Sequence, residues 1–321
     1  MGVTLNRNRL SVADFEKRLK DHFFKDGAIG GALFPLMEIE FKNGMEHTSA
    51  YAGFHKLNDA AQGFMYETLR CITSQIVQLS SAHVAQYSFA FVDLLMIYKK
   101  LRSASILSTR SYPGPAFSIL RDVAERSILL SSLFQGLLTY NDLMGFRTDD
   151  NPNGTQQELN VRRRKHRKSI EQKMLTNFFG PKSGLSPTAQ DQMSKWKDFF
   201  DQEIHGSYLS SSHAIVDWHN PEIGMTFLDA PNSRMAIMCL NRQYEVSWMF
   251  LRLLPNLQNI AFNFDVHWQE QWRVLDDSFW QFSVSLSDLE KPIGAAFIEF
   301  IDSKFPFSAS STRAAPTNQK D

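Results

Sequence analysis

PAFSILRDVAERSILLSSLFQGLL, residues 115–138, is the stretch that decides the predicted fold of this chain. Its second half is apolar on every side of a helix, a pattern typical of a helix that is buried all round. Its first half carries Arg121, Asp122, Glu125 and Arg126. A charge that enters a protein core is costly unless it is paired or used. We therefore expect a central helix with either an ion-pair cluster or a functional site at its charged end.

The spacing of these four charges leaves two interpretations open. Arg121 and Glu125 are four residues apart, and so are Asp122 and Arg126, so two pairs of opposite charge can form on adjacent stripes of one helix. In the first interpretation both pairs are structural and fix the register of the helix. In the second, the helix carries a polar centre in which an arginine binds an anion and Glu125 orients it.

Hydrophobic periodicity predicts helices along most of the chain. Met65, Leu69 and Ile72 recur at spacings of four and three, which is the apolar seam of packed antiparallel helices. Turn residues bound two further helices, predicted at about residues 155–178 and 187–204. The whole pattern predicts a mostly α protein, a multi-helix bundle of about eight to ten helices.

The predicted bundle occupies residues 51–305. Residues 1–50 are expected to form an appendage, an N-terminal helix followed by a short irregular segment. Within that segment LMEIEF, residues 36–41, alternates apolar and polar side chains like one arm of a β-hairpin. The composition of residues 306–321 is typical of a disordered tail.

Composition and charge favour a folded protein without a general attraction for polyanions. Of the 321 residues, 43% are hydrophobic, and the formal net charge is zero. Nucleic acid would therefore have to be bound by a local basic patch. No segment reaches the ~20 apolar residues that a membrane span needs, and the N-terminus has no secretory signal pattern. We expect a cytoplasmic protein with no membrane partner.

A local basic patch is present in RRRKHRK, residues 162–168. On a helix these side chains cannot all share one face. An inward-facing stripe is predicted for Leu159, His166, Ile170 and Met174. The run is then either a solvated face or a surface that contacts the phosphates of RNA or DNA. The candidate contacts of such a surface are Arg126, Arg162, Arg163, Arg164 and Arg167.

A second group of candidate side chains lies in EIHGSYLSSSHAIVDWHN, residues 203–220. His213 and Asp217 are four residues apart, and His205 and His219 flank them. Imidazole and carboxylate groups are typical ligands of zinc and other transition metals. The segment meets no stricter metal-binding motif. Histidines that cap helices or form hydrogen bonds at the edge of the core are the ordinary interpretation.

Common catalytic patterns are missing from the sequence. It has no glycine-rich phosphate loop of the Walker or dinucleotide type, and no Gly-x-Ser-x-Gly. These absences argue against an NTPase, a nicotinamide-dependent enzyme and an α/β-hydrolase. No cofactor is predicted.

Three segments together resemble a group of bacterial helical proteins related to the HEPN superfamily and to abortive-infection, or phage-defence, proteins. They are LRDVAERSILL (120–130), the basic run, and DFFDQEIHGS (198–207), and the resemblance covers about residues 85–215. HEPN ribonucleases cut RNA without a metal, using an arginine and a histidine. A member of that superfamily would be a metal-independent RNase.

The resemblance implies that Arg121, Glu125 and His205 meet in the bundle. In such a site His205 acts as general acid or base toward the ribose 2′-hydroxyl, and an arginine stabilises the charge on phosphorus. No histidine of this chain has an arginine five to seven positions before it, which is the usual HEPN spacing. Arg121 or Arg126 must therefore reach His205 from another helix.

Three functional hypotheses stay open. The first is a bacterial helical effector of the defence or stress type, with an RNase-like or anion-binding site at Arg121, Glu125 and His205. The second is a non-catalytic interaction or oligomerisation protein whose charged cluster is structural. The third is a metal-dependent hydrolase that uses the histidines of residues 203–220. The candidate partners are RNA, another protein or a second copy of the chain.

Overall fold

The computed structural model describes residues 33–75, 81–140, 142, 155–204, 233–259, 264–285 and 294–306. Within these parts the chain forms nine α-helices and no β-strand, which confirms the predicted helical bundle. The helices are α1 (Leu33–Ala50), α2 (Ala52–Gln75), α3 (Ser81–Thr109), α4 (Pro113–Phe134), α5 (Gln156–Phe178), α6 (Pro187–Ile204), α7 (Arg234–Leu253), α8 (Val266–Ser285) and α9 (Ala295–Lys304). The 3₁₀ helices are Pro181–Ser183 and Leu254–Asn259. None of the described helices is long and apolar enough to cross a lipid bilayer.

Helix α1 stands where an irregular segment was expected. LMEIEF is helical, so the prediction of a hairpin arm at residues 36–41 was wrong. Ile39 and Phe41 are 48% and 55% exposed, so the alternation does not separate a buried face from a solvated one. Six alternating residues are too few to exclude a helix with exposed apolar side chains. The predicted N-terminal helix and all of the predicted tail except Pro306 lie outside the described residues.

Helix α4 is the centre of the fold, as the sequence predicts. It packs on α3, α5, α6 and α7, and twelve of its 22 residues are buried. Pro113 occupies the first turn, where a proline costs no helical hydrogen bond. The helix ends at Phe134, four residues before the predicted end. Gly136 adopts a φ of 71° there, and the Leu137 amide donates to the Ser132 carbonyl oxygen at 2.9 Å.

Helix α7 joins the second half of the chain to the same core. Every residue from Gln243 to Leu253 is buried, and the helix packs on α2, α3, α4 and α8. The ring centroids of Tyr244 and Phe279 lie 4.9 Å apart, and those of Trp248 and Phe279 lie 6.1 Å apart. Burying a large side chain of this kind contributes about 1.5–3 kcal/mol, so α7 and α8 are a main part of the core.

The hydroxyl of Ser105, buried on α3, is shared by three amide groups. It accepts a hydrogen bond from Gln62 Nε2 on α2 at 2.7 Å, and Asn58 Nδ2, also on α2, lies at the longer distance of 3.3 Å. It also accepts one from Gln243 Nε2 on α7, and it donates to the Leu101 carbonyl oxygen at 3.1 Å. Because a buried amide without a partner is costly, this network favours one register of α2, α3 and α7.

Gly44 sets the distance between α1 and α3, which leads to a testable difference between two glycines. A Cβ atom on Gly44 would lie 2.7 Å from the backbone oxygen of Thr109. We expect Gly44→Ala to lower the free energy of unfolding by about 1–3 kcal/mol, because overpacking outweighs the gain in helix propensity.

The matched control is Gly63→Ala in α2, where a Cβ atom meets nothing within 4 Å. Here we expect a gain of about 0.5–1 kcal/mol from helix propensity alone. Urea denaturation followed by circular dichroism measures both effects. Equal effects of the two substitutions would contradict the close approach of α1 to α3 at Gly44.

Candidate functional site: a cleft between α4, α5 and α6

The charged end of α4 belongs to an ion-pair chain that ties α4 to α3. Asp122 Oδ2 accepts hydrogen bonds from Lys100 Nζ at 2.5 Å and from Arg126 Nε at 2.7 Å. Arg126 Nη1 in turn donates to Asp93 Oδ1 at 2.5 Å. The predicted pair of Asp122 and Arg126 is therefore formed, and two residues of α3 extend it. Lys100 and Asp93 are seven positions apart, so both lie on the face of α3 that meets α4.

The two carboxylates of this ion-pair chain have pKa values shifted in opposite directions. Burial raises the pKa of Asp93, and the neighbouring Arg126 only partly offsets that effect. Burial acts on Asp122 in the same sense, but hydrogen bonds from Lys100 and Arg126 outweigh it and hold the pKa of Asp122 below its usual value. Asp122 is thus an ionised acceptor between two cations, and this part of the cluster serves the packing of α4 on α3.

Arg121 and Glu125 form the second predicted pair, which is more open to solvent. Arg121 Nε donates to Glu125 Oε1 at 2.8 Å. The Arg121 side chain is 21% exposed, whereas that of Glu125 is 56% exposed. An ion pair with one partner largely in solvent contributes only about 0–1 kcal/mol. An anion with stronger acceptor groups can therefore replace the Glu125 carboxylate at Arg121.

Both pairs lie on one wall of a cleft of about 380 Å³ between α4, α5 and α6. A volume of this order suits a small ligand. The cations that line it are Arg121, Arg126 and Lys197, and the acidic residues are Asp122, Glu125 and Glu171. The apolar side chains opposite α4 include Met174, Leu175, Phe179 and Trp196. The three cations and three carboxylates of the cleft balance, so the cleft is not a wholly positive site.

Trp196 of α6 is held in the cleft wall from the side of α7. Its Nε1 donates to Glu245 Oε2 at 2.6 Å, and the Arg242 guanidinium lies 5.6 Å from its ring centroid. Arg242 also pairs with Glu245. The i,i+4 spacing that predicts the pair of Arg121 with Glu125 does not identify Glu245 as a residue of the cleft wall. The signal for it is the position of a single carboxylate in the apolar run YEVSWMF, residues 244–250.

The basic run lies on α5, and the structure confirms its predicted inward stripe. All four members of that stripe are half-buried, namely Leu159, His166, Ile170 and Met174. His166 Nε2 forms a hydrogen bond of 2.8 Å with the Asp142 backbone oxygen. Arg162 and Arg164 are exposed on the solvent side of α5. The side chains of Arg163 and Arg167 are not among the parts of the chain that the structure describes.

The histidine-rich segment lies outside the described residues. This applies to His205, His213, Asp217 and His219. The predicted meeting of His205 with Arg121 and Glu125 therefore stays a prediction, and so does the alternative metal site. Among the residues that the structure describes, no group of three or more His, Cys, Asp or Glu side chains is placed to hold a metal ion.

A scan against protein-family models finds no match for this chain, and searches of curated proteins and of solved structures find none either.

Proposed function

We propose that this chain is a helical effector that binds a small phosphorylated ligand in the cleft between α4, α5 and α6. The observation that carries the proposal is that Arg121 and Lys197 share one cleft with an apolar wall. An arginine can donate two parallel hydrogen bonds to a phosphate, and such charge-assisted bonds are strong. The apolar wall at Met174 and Leu175 suits a flat apolar group such as a nucleobase.

In the proposed complex the phosphate takes the place of the Glu125 carboxylate at Arg121. Glu125 is more than half exposed, so its side chain can turn into solvent at little cost. Asp122 and Arg126 keep their bonds and hold α4 against α3. Binding therefore requires the Glu125 side chain to leave Arg121, while the ion pairs between α3 and α4 stay in place.

The wider role, an effector of the defence or stress type, rests on the resemblance of residues 85–215 to HEPN-related and abortive-infection proteins. An RNase-like reaction further requires His205, and the proposal for the cleft is therefore one of binding. Cleavage of labelled RNA by the wild type that is lost in His205→Ala is the result that would extend it to catalysis.

The alternative function, a non-catalytic interaction or oligomerisation protein, has its own support. Asp122 and Arg126 are bound within the protein, as expected of a structural cluster. Helix α1 also exposes Phe41 and Met45, which are four residues apart on one face, and adjacent exposed apolar groups are typical of partner-binding surfaces.

Binding of adenosine monophosphate, measured by isothermal titration calorimetry, tests the proposed site. We expect Arg121→Ala to weaken binding at least about tenfold, because a hydrogen bond to a charged group contributes about 1.5–3 kcal/mol. We expect Glu125→Gln to bind at least as tightly as the wild type, because the competing negative charge is gone. These opposite directions are specific to a phosphate that replaces Glu125.

The matched control is Arg102→Ala. Arg102 pairs with Asp59 at 3.4 Å on the surface of α2 and α3, and neither residue lines the cleft. Adenosine monophosphate should bind this variant as it binds the wild type. No binding by the wild type, or equal weakening by Arg121→Ala and Arg102→Ala, would contradict the proposed site and favour the alternative function.

A further inference from the structure

Helix α5 carries a row of cations that leads into the cleft. Arg164, Lys168, Glu171 and Leu175 follow one another at intervals of four, three and four residues, so all four lie on one face of the helix. Glu171 and Leu175 line the cleft. Arg164 and Lys168 are exposed and continue the same face toward the start of α5. The row from Arg164 to Leu175 is about 16 Å long.

This row of cations is part of a helix with little compensating charge. Between Gln156 and Phe178 there are seven lysines and arginines against two glutamates. One of these glutamates, Glu158, is engaged in the N-terminal capping box of the helix with Thr155. In the described part of the chain neither Arg164 nor Lys168 forms an ion pair. A concentration of like charge on one helix is typical of a surface that binds a polyanion.

We infer that the cleft and this face of α5 together bind a single-stranded polynucleotide, with successive phosphates at Arg164, at Lys168 and in the cleft. The inference rests on the proposed phosphate site at Arg121 and names the class of its ligand. A polynucleotide carries anionic phosphates and flat apolar bases, and this surface offers the two cations Arg164 and Lys168 together with an apolar wall at Leu175, with Glu171 between them. A cleft of about 380 Å³ is of the size of a small ligand such as one nucleotide, which favours an unpaired strand over a duplex.

Anisotropy of a short fluorescent strand, in RNA and DNA forms of one sequence, tests the inference. Each single-strand phosphate contact contributes about 0.7 to the slope of log affinity against log salt concentration. We expect the double variant Arg164→Ala, Lys168→Ala to lower the magnitude of that slope by about 1.4. The control double variant is Lys56→Ala, Arg273→Ala, which removes two exposed cations from α2 and α8 and should leave the slope unchanged.

The two strands distinguish the sources of the polyanion. Binding of RNA and DNA with the same slope points to recognition of phosphates and bases, whereas tighter RNA binding adds contacts to the 2′-hydroxyl. Either result supports the track along α5. No strand binding, an unchanged slope in the Arg164 and Lys168 variant, or tighter binding of a duplex would overturn it. Displacement of the strand by polyglutamate at equal charge would assign the surface to an acidic polypeptide instead.

Adenosine monophosphate separates this inference from the proposed function. Arg164 and Lys168 do not line the cleft, so their double variant should bind the mononucleotide as the wild type does. Normal mononucleotide binding with an unchanged salt slope means that the inference fails and the cleft site stands. A lowered slope without mononucleotide binding means that Arg164 and Lys168 contact the strand, whereas the cleft site, and with it the phosphate placed in the cleft, fails.

Discussion

Asp276→Ala should lower the free energy of unfolding by about 3–5 kcal/mol. The Asp276 side chain is only 3% exposed and accepts hydrogen bonds from Trp248 Nε1 at 2.7 Å and from Arg252 Nε. Removing its carboxylate leaves a guanidinium and an indole N–H in the core without this acceptor. Arg252 Nη2 already has no hydrogen-bond partner among the described residues. Such a loss is large because a buried charge cannot turn to water.

The matched control for this prediction is Asp302→Ala. Asp302 also binds Arg252, with Arg252 Nη1 3.1 Å from Asp302 Oδ1, but its side chain is 50% exposed. Its removal should cost about 1 kcal/mol or less, because water replaces the lost acceptor. Urea denaturation followed by circular dichroism at a fixed pH measures both variants. Similar losses of unfolding free energy in Asp276→Ala and Asp302→Ala would contradict the prediction that burial strengthens the pair of Arg252 with Asp276.

Acidification should destabilise the fold through the buried pair His47 and His55. Burial, helped by the charge of His55, lowers the pKa of His47 from 6.5 to about 4. The ring of His47 is 2% exposed, and its Nδ1 lies 3.0 Å from His55 Nε2. The folded state thus keeps His47 neutral at a pH at which the unfolded chain binds a proton. Its contribution to stability is complete above pH 6.5 and is lost as the pH falls toward 4.

This loss amounts to about 3 kcal/mol, the free-energy equivalent of the shift in the pKa of His47. Denaturation of the wild type and of His47→Leu at pH 4 and at pH 7 measures it as a difference between the two proteins. The drop from pH 7 to pH 4 should be smaller in His47→Leu, whatever the variant's absolute stability. The control His267→Gln, which removes an exposed histidine of α8, should show the wild-type drop. An unchanged drop in His47→Leu would contradict the prediction.

Helices whose ends carry local signals are predicted well from the sequence. Helix α5 begins after Thr155, where a capping box with Glu158 satisfies the first amides, and it ends at Phe178 as expected. Helix α6 begins at Pro187, also as expected. The half-buried stripe through His166 follows directly from the period of 3.6 residues.

Helix α1 and the end of α4 show where such signals fail. The alternation in residues 36–41 has the period of a strand, although the segment is helical. At the end of α4 the apolar residues continue beyond Gly136, so periodicity does not mark the stop. The helix ends there because the backbone turns into the left-handed region at Gly136.

Of the side chains that form the candidate site, the sequence predicts the ion pairs on α4. The pairs of Arg121 with Glu125 and of Asp122 with Arg126 both follow from the i,i+4 spacing, and both are formed. The sequence does not indicate that one pair opens into a cleft while the other is joined to α3. That difference depends on which face of α4 meets α3 and which meets α5 and α6. The residue that completes the cleft from α6, Lys197, has no sequence signal of its own.

The sequence by itself determines where most of the helices lie and that α4 is buried, because helical hydrogen bonds and apolar periodicity involve residues only three or four positions apart. Only the tertiary structure decides which polar groups meet across helices. Trp196 and Glu245 are 49 positions apart, and Trp248 and Asp276 are 28 apart. Such contacts follow from the packing of whole helix faces, where each buried charge or indole N–H must find a partner. No local spacing rule identifies that partner.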